Sequence, residues 1–135
     1  ARTAIDALHA ILPGHWLQAD LENAPWPLPG QQFDAVVVTH YLWRPLWPQI
    51  LASVAPGCLL LYETFATGNE AYGKPSRLDF LLQPGELLRV CGHWHILAFE
   101  QGLLSTPERM VQRIAARNAD AGAVLATSLL PLSAN

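Results

Sequence analysis

His93 and His95, two apart, are the first residues whose types could do chemistry. On one strand face they could hold a metal ion. No third ligand motif accompanies them, so structural or surface histidines are the better reading and no metal is expected. Arg44 offers a guanidinium for an anionic substrate group, or begins a helix as an ordinary surface residue. Glu63 closes an apolar run, where a carboxylate either serves a ligand or neutralises a neighbouring cation. In open α/β sheets ligands sit beyond the carboxyl ends of strands. Asp20 and the run Thr39-His40-Tyr41 stand at such ends. His40 or Tyr41 could take a proton if a substrate needs deprotonation. Asp20 also suits a plain strand-end turn, and Thr39 and His40 suit an ordinary loop.

Strand-helix-strand units are what would position these groups. Phe33-Asp34-Ala35-Val36-Val37-Val38-Thr39 is an almost unbroken β-branched run, the pattern of a strand buried on both faces. Pro45 suits a first helical turn, and Leu46, Trp47, Ile50, Leu51 and Val54 share one stripe before Pro56-Gly57 ends the helix. Cys58-Leu59-Leu60-Leu61-Tyr62-Glu63 is a second buried strand. Together they predict a right-handed βαβ unit in a sheet covered on both faces. Residues 15–20 read as a short strand, and the prolines at 25, 27 and 29 as a loop. Residues 64–83 form a long polar loop carrying Phe65, Asn69 and Tyr72, a lid over a substrate or a mobile surface segment. A short helix at 84–90 and strands at 94–100 and 110–116 follow, with a helix as runner-up for the last. Residues 1–12 repeat apolar positions at steps of three and four, an amphipathic helix stopped by Pro13-Gly14.

Composition narrows the function classes. The chain has 135 residues, one domain's length, with 51% hydrophobic and 14% charged. A typical soluble domain is about a quarter charged, so much of this surface is interior or covered, and general disorder is excluded. The net charge of −3 disfavours a nucleic-acid partner. No apolar stretch reaches the ~18 residues of a membrane span, so no membrane is expected as a partner. Cys58 and Cys91 lie far apart among apolar neighbours, which predicts buried reduced thiols in a cytoplasmic protein.

An ordered series of segments carries a family pattern. An acid closes a strand at Ala19-Asp20-Leu21-Glu22, and Leu28-Pro29 leads into Phe33-Asp34. A Val-rich strand and a helix then lead to Ala55-Pro56-Gly57-Cys58-Leu59-Leu60-Leu61-Tyr62-Glu63. Over residues 1–117 this resembles the C-terminal two-thirds of a class I S-adenosylmethionine-dependent methyltransferase. Thr39-His40-Tyr41-Leu42-Trp43-Arg44-Pro45-Leu46, with Glu63-Thr64-Phe65 and Gly68-Asn69, is most similar to small bacterial members related to the tellurite-resistance methyltransferases. The resemblance implies an α/β fold: a partial, doubly wound, Rossmann-like, mostly parallel sheet with a C-terminal antiparallel strand pair. It implies S-adenosylmethionine as cofactor, with Asp20 accepting from the adenine amino group and the Leu21 backbone addressing the ring. Thr39, His40 and Tyr41 would line the methionine and sulfonium side, where aromatic faces tolerate a cation. Arg44, Glu63, Phe65 and Tyr72 would face a small-molecule substrate.

Two departures stand out. None of the nine glycines forms a Gly-x-Gly pair, so the family's glycine-rich turn is absent from this sequence. Cys58 replaces a usual second glycine. With the uncapped start at Ala1, this reads as an incomplete domain, residues 1–117, followed by a tail at 118–135 that can stay disordered. The strand at 15–20 would then lack its neighbour, so it either needs a missing half or pairs with a second chain as a homodimer. Three functions follow: methyl transfer by a domain of which this is part, a non-catalytic packing or dimerisation module, or another nucleotide-binding α/β enzyme such as a dehydrogenase. Opposite or separated directions for residues 33–39 and 58–63 would overturn the fold.

Overall fold

β-Branched and aliphatic runs fix the sheet. The computed structural model describes residues 14–119, and the expected helix at 1–12 and most of the tail lie outside that span. Strand β1 is Phe33–Thr39, and β2 is Val54–Phe65. They pair in parallel, with Val36 opposite Leu60 and Thr39 opposite Glu63. The pair therefore meets the condition on which the fold rested. The connection holds a single 3₁₀ turn, Arg44–Leu46, and helix α1, Trp47–Ala52. Pro45 and Pro48 sit in their first turns, where a missing N–H costs nothing.

The antiparallel half follows. Helix α2, Glu86–Cys91, leads into β3, His95–Leu104, and β4, Arg109–Arg117. The spatial order is β1-β2-β4-β3, so β4 lies between β2 and β3 and is antiparallel to both. The sheet is mixed, with the C-terminal antiparallel pair where the resemblance put it. Residues 110–116 are strand, not helix.

Several boundaries moved for physical reasons. Pro56-Gly57 does not end a helix; it lies inside a bulged β2, where the register jumps between Phe33 and Ala35 and Gly57 takes φ 77°. A side chain there would be strained, which is why glycine holds the bulge. Residues 15–20 form no strand. They carry no regular structure and have no ladder partner among the described residues. His93 lies in the turn before β3, so it does not share a strand with His95.

Only one face of the sheet is covered among the described residues. Leu60, Tyr62, Ile114 and Ala116 pack with Ile50 of α1 and Leu87 and Cys91 of α2, joined at the margin by Leu21, Trp26, Val36 and Val38. The opposite face is open: Val37 is 62% and Leu61 41% exposed. Among the described residues the expectation of burial on both faces is not met, because the helices there pack on one side of β1. Asn118 is bound in, donating from its backbone to Cys58 O at 2.8 Å and from its side chain to Val54 O at 2.7 Å.

Candidate functional site

The parallel pair delivers its carboxyl ends side by side. Immediately after Thr39 the chain turns through His40, a non-glycine residue at φ 54°. That left-handed conformation costs an L-residue roughly 1–2 kcal/mol. Two contacts hold it: the His40 N–H donates to Glu63 O at 3.0 Å, and its ring stacks on Phe65 with centroids 5.2 Å apart. A backbone held this way at a strand end makes this rim the candidate site. His40→Gly removes the torsional strain with the stack, whereas His40→Ala removes only the stack. We expect the alanine variant to be the less stable of the two by about 1 kcal/mol in denaturant unfolding. Equal stability would show that the left-handed turn carries no strain.

Tyr41 faces the other way. Its hydroxyl donates to Glu22 Oε2 at 3.1 Å, and its carbonyl accepts the buried Tyr62 hydroxyl at 2.6 Å. Burial, then the Glu22 bond and charge, push the Tyr41 phenol up to about 12. It stays protonated at neutral pH, so it is a hydrogen-bonding wall rather than a base, and His40 is left as the candidate for proton transfer. The Glu22 contact draws the turn at residues 20–23 to this rim. There Asp20 Oδ1 accepts the backbone N–H groups of Glu22 (3.0 Å) and Asn23 (3.1 Å). Those two amides hold the Asp20 carboxyl below its ordinary value, so it is ionised. Asp20 is exposed, and Leu21 packs on the core margin.

Arg44 is already engaged. Its Nε and Nη2 bond Glu86 at 2.7 and 3.0 Å, Nη1 bonds Asp79 O at 3.1 Å, and Nη2 also bonds Leu81 O at 2.9 Å. All three nitrogens donate to protein, so its visible work is to clamp the following loop. That loop is not a loose lid. Leu82 bridges Ala66 beyond the end of β2, through Leu82 N–H to Phe65 O and Thr67 N–H to Leu82 O, both 2.9 Å. Buried Asn69 accepts from Met110 N–H and donates to Pro75 O. Tyr72 follows the 3₁₀ turn Asn69–Ala71 and stands half exposed in the loop. Thus Thr39, His40, Glu63 and Phe65 meet at the strand ends, and Asp20, Leu21 and Tyr41 meet beside them. Arg44 supports this rim from behind.

Glu63 also belongs to the open face. Arg113 lies between Glu63, at 3.7 Å, and Glu100, at 2.5 Å. These charges border an apolar depression of about 300 Å³ lined by Val37, Leu61, Ala98 and Ala115. The sequence reading missed Glu86 and Gln112, which position the loop, and it placed Asn69 in a lid where the structure makes it a buried tie. Gln112 was findable: it interrupts the apolar alternation of a strand on its inward side. Among the described residues no group of three or more metal-ligating side chains gathers. No helix there is long and apolar enough to cross a membrane.

No protein-family model matches the chain, and no curated protein matches it. Solved structures do. The chain is similar to TehB from Haemophilus influenzae at a TM-score of 0.52 and 16% identity, over 65% of this chain and 36% of that one. It is also similar to the protein of a structure describing conversion of a disulfide bond into a thioacetal group during echinomycin biosynthesis (TM-score 0.47, 10% identity, 78% of this chain and 57% of that one). A third likeness is to a 16S rRNA (adenine(1408)-N(1))-methyltransferase mutant with cosubstrate SAM from Catenulisporales acidiphilia (TM-score 0.43, 17% identity, 64% and 50%). The first likeness shows the fold: a mixed, partial Rossmann-like α/β sheet. The chain spans about a third of TehB's length.

Proposed function

We propose that this chain is part of an S-adenosylmethionine-dependent methyltransferase acting on a small molecule. The observation that carries the reading is the convergence at one rim of the Asp20 turn, Tyr41, the left-handed His40 and Phe65. The fold likeness supports it, as does the position of that rim at strand carboxyl ends. The residues present fit one side of the cofactor. Asp20 is ionised and oriented by its two amides, which suits the adenine amino donor, and the Leu21 backbone would address the ring. Thr39, His40 and Tyr41 would take the methionine and sulfonium side, offering aromatic faces to a cation. The cofactor supplies an electrophilic methyl group, and displacement needs positioning above all. Glu63, Phe65 and Tyr72 would face the acceptor, and Arg44 would hold their loop in place. No Gly-x-Gly occurs in this sequence, so affinity for the whole cofactor is weak.

A packing or dimerisation module is the second reading, favoured by the apolar open face and by the outer edge of β1, which pairs with nothing among the described residues. Amide-shift mapping of the 135-residue chain with S-adenosylmethionine separates the two. The methyltransferase reading expects millimolar binding, about 4 kcal/mol, with shifts at Asp20, Leu21, Thr39, His40 and Tyr41, abolished by Asp20→Ala. Shifts confined to the open face, or none in a chain that sediments as a dimer, would replace it by the second reading. Submicromolar binding would show the cofactor site to be misplaced.

A further inference from the structure

Resting on the methyltransferase reading, we infer that Leu78 and Phe80 form an apolar lip over the acceptor side of the site, which selects an acceptor with a neutral, apolar or aromatic group. The topology puts them there. Leu82 bonds Phe65 O beyond the point where β1 ends, so the segment before it occupies the space past the carboxyl end of β1. Residues 78–80 form a 3₁₀ turn in that segment. Arg44, three residues after Tyr41, fixes the turn by accepting no freedom on either side of it: its guanidinium bonds the carbonyls of Asp79 and Leu81. Glu86 in turn fixes Arg44.

The side chains on this clamped turn are exposed rather than tucked in. Leu78 is 68% and Phe80 45% exposed. A turn this firmly bonded could have buried both against the core that takes Leu81 and Leu82 completely. Apolar groups presented on a rigid element beside polar, oriented groups are the usual composition of a small-molecule site. The local charge is balanced, since Arg77 pairs with Asp79 at 2.9 Å and lies 5.4 Å from the Phe80 ring centre. The lip therefore offers a neutral surface, and a charged acceptor group gains nothing there.

The test uses indole and phenol as probes, with acetate and glycerol as polar controls, by amide-shift titration of the 135-residue chain. Indole and phenol should shift Leu78, Phe80 and His40, and the controls should not. Phe80→Ser with Leu78→Ser should weaken indole binding roughly fivefold or more, from the apolar area lost. Both positions are exposed, so the melting temperature should hold; Leu78→Ser alone, which leaves the Arg77 contact intact, should give a smaller loss in the same direction. Unchanged indole binding in the double variant, or a loss that instead follows Leu61→Ser on the open face, overturns the lip. S-adenosylmethionine shifts at Asp20 and Tyr41 in the same samples report the cofactor separately. If they persist while indole ignores the lip, the inference fails and the methyltransferase reading stands. If they are absent while indole needs the lip, that reading fails and the lip remains an apolar-ligand site.

Discussion

Gln112→Leu should lower the unfolding free energy by about 3 kcal/mol, the largest effect expected of a single polar change in this chain. Gln112 is fully buried on the core face of β4. Its Oε1 accepts Leu87 N–H at 2.7 Å, and its Nε2 donates to Gln83 O at 2.8 Å and Gln101 Oε1 at 3.0 Å. Leucine fills the space but leaves the buried Leu87 N–H with no partner, and it takes one donor each from Gln83 O and Gln101 Oε1, which keep Glu86 N–H and Gly85 N–H. The orphaned N–H costs about 1–3 kcal/mol and each of the two other lost bonds about 0.5–1.5 kcal/mol, of which the added apolar burial returns only part. For a domain of this length that loss lowers the melting temperature by roughly 15 °C. Calorimetry reads the shift, and hydrogen exchange should quicken first at residues 83–87. A drop of only one or two degrees would mean that water or a rearranged loop replaces the lost bonds.

The consequence reaches the site because Gln112 begins a chain of bonds. Gln83, held by Gln112 through its carbonyl, donates its N–H to Glu86 Oε1 at 2.8 Å. Glu86 holds Arg44, and Arg44 holds the turn carrying Leu78 and Phe80. Gly85 N–H is tied to Gln101, the other partner of Gln112. The rim is thus positioned by polar groups from β4, α2 and the β1–α1 connection together, and breaking any link loosens the same loop.

Little of that chain is legible in the sequence. Local pattern is enough for β1 and β2, because an unbroken run such as Val36-Val37-Val38 has few other ways to lie, and the helix-bearing connection between them is long enough for a parallel crossover. The apolar runs at 94–100 and 110–116 read as strands, with a helix open for the second, and their antiparallel pairing comes from the family resemblance. Residues 15–20 mislead because composition describes a strand's side chains while a strand exists only when a neighbour takes its backbone groups; none does among the described residues. At the site, the strand ends give Thr39, His40, Tyr41 and Glu63 directly. What separates their roles is not local. Tyr41 loses its candidacy as a base through burial and Glu22, nineteen residues earlier, and Arg44 is captured by Glu86, forty-two residues later. The same spacing in sequence would suit a free arginine.

Glu86→Gln should cost about 2 kcal/mol at neutral pH, and the cost should vanish on acidification. The side chain is nearly buried and accepts Arg44 through both oxygens and the Gln83 N–H through one of them. Glutamine presents an NH₂ group to the Arg44 guanidinium, donor against donor. Losing one partner of a buried ion pair costs about 3–5 kcal/mol, but the Arg44 side chain is about a third exposed and can hydrate, so the smaller figure applies. The pH dependence has a definite sign. Burial alone would raise the Glu86 carboxyl; the Arg44 hydrogen bonds, the Gln83 amide and the charges of Arg44 and Arg89 outweigh it and hold the group below its usual 4.5. A carboxyl lowered in the folded state stabilises the fold in full above the unfolded value and loses that contribution as pH falls through the folded one. The gap between wild type and variant should therefore be widest near neutral pH and close as pH falls below the ordinary carboxyl value, with the wild type losing a contribution that the variant lacks at every pH. Denaturant midpoints across that range measure it, and indole binding at the lip should weaken in parallel as Arg44 releases the turn. A gap that stays constant or widens in acid would show that Glu86 acts by packing alone, and the clamp would have to be assigned to the carbonyls of Asp79 and Leu81 without it.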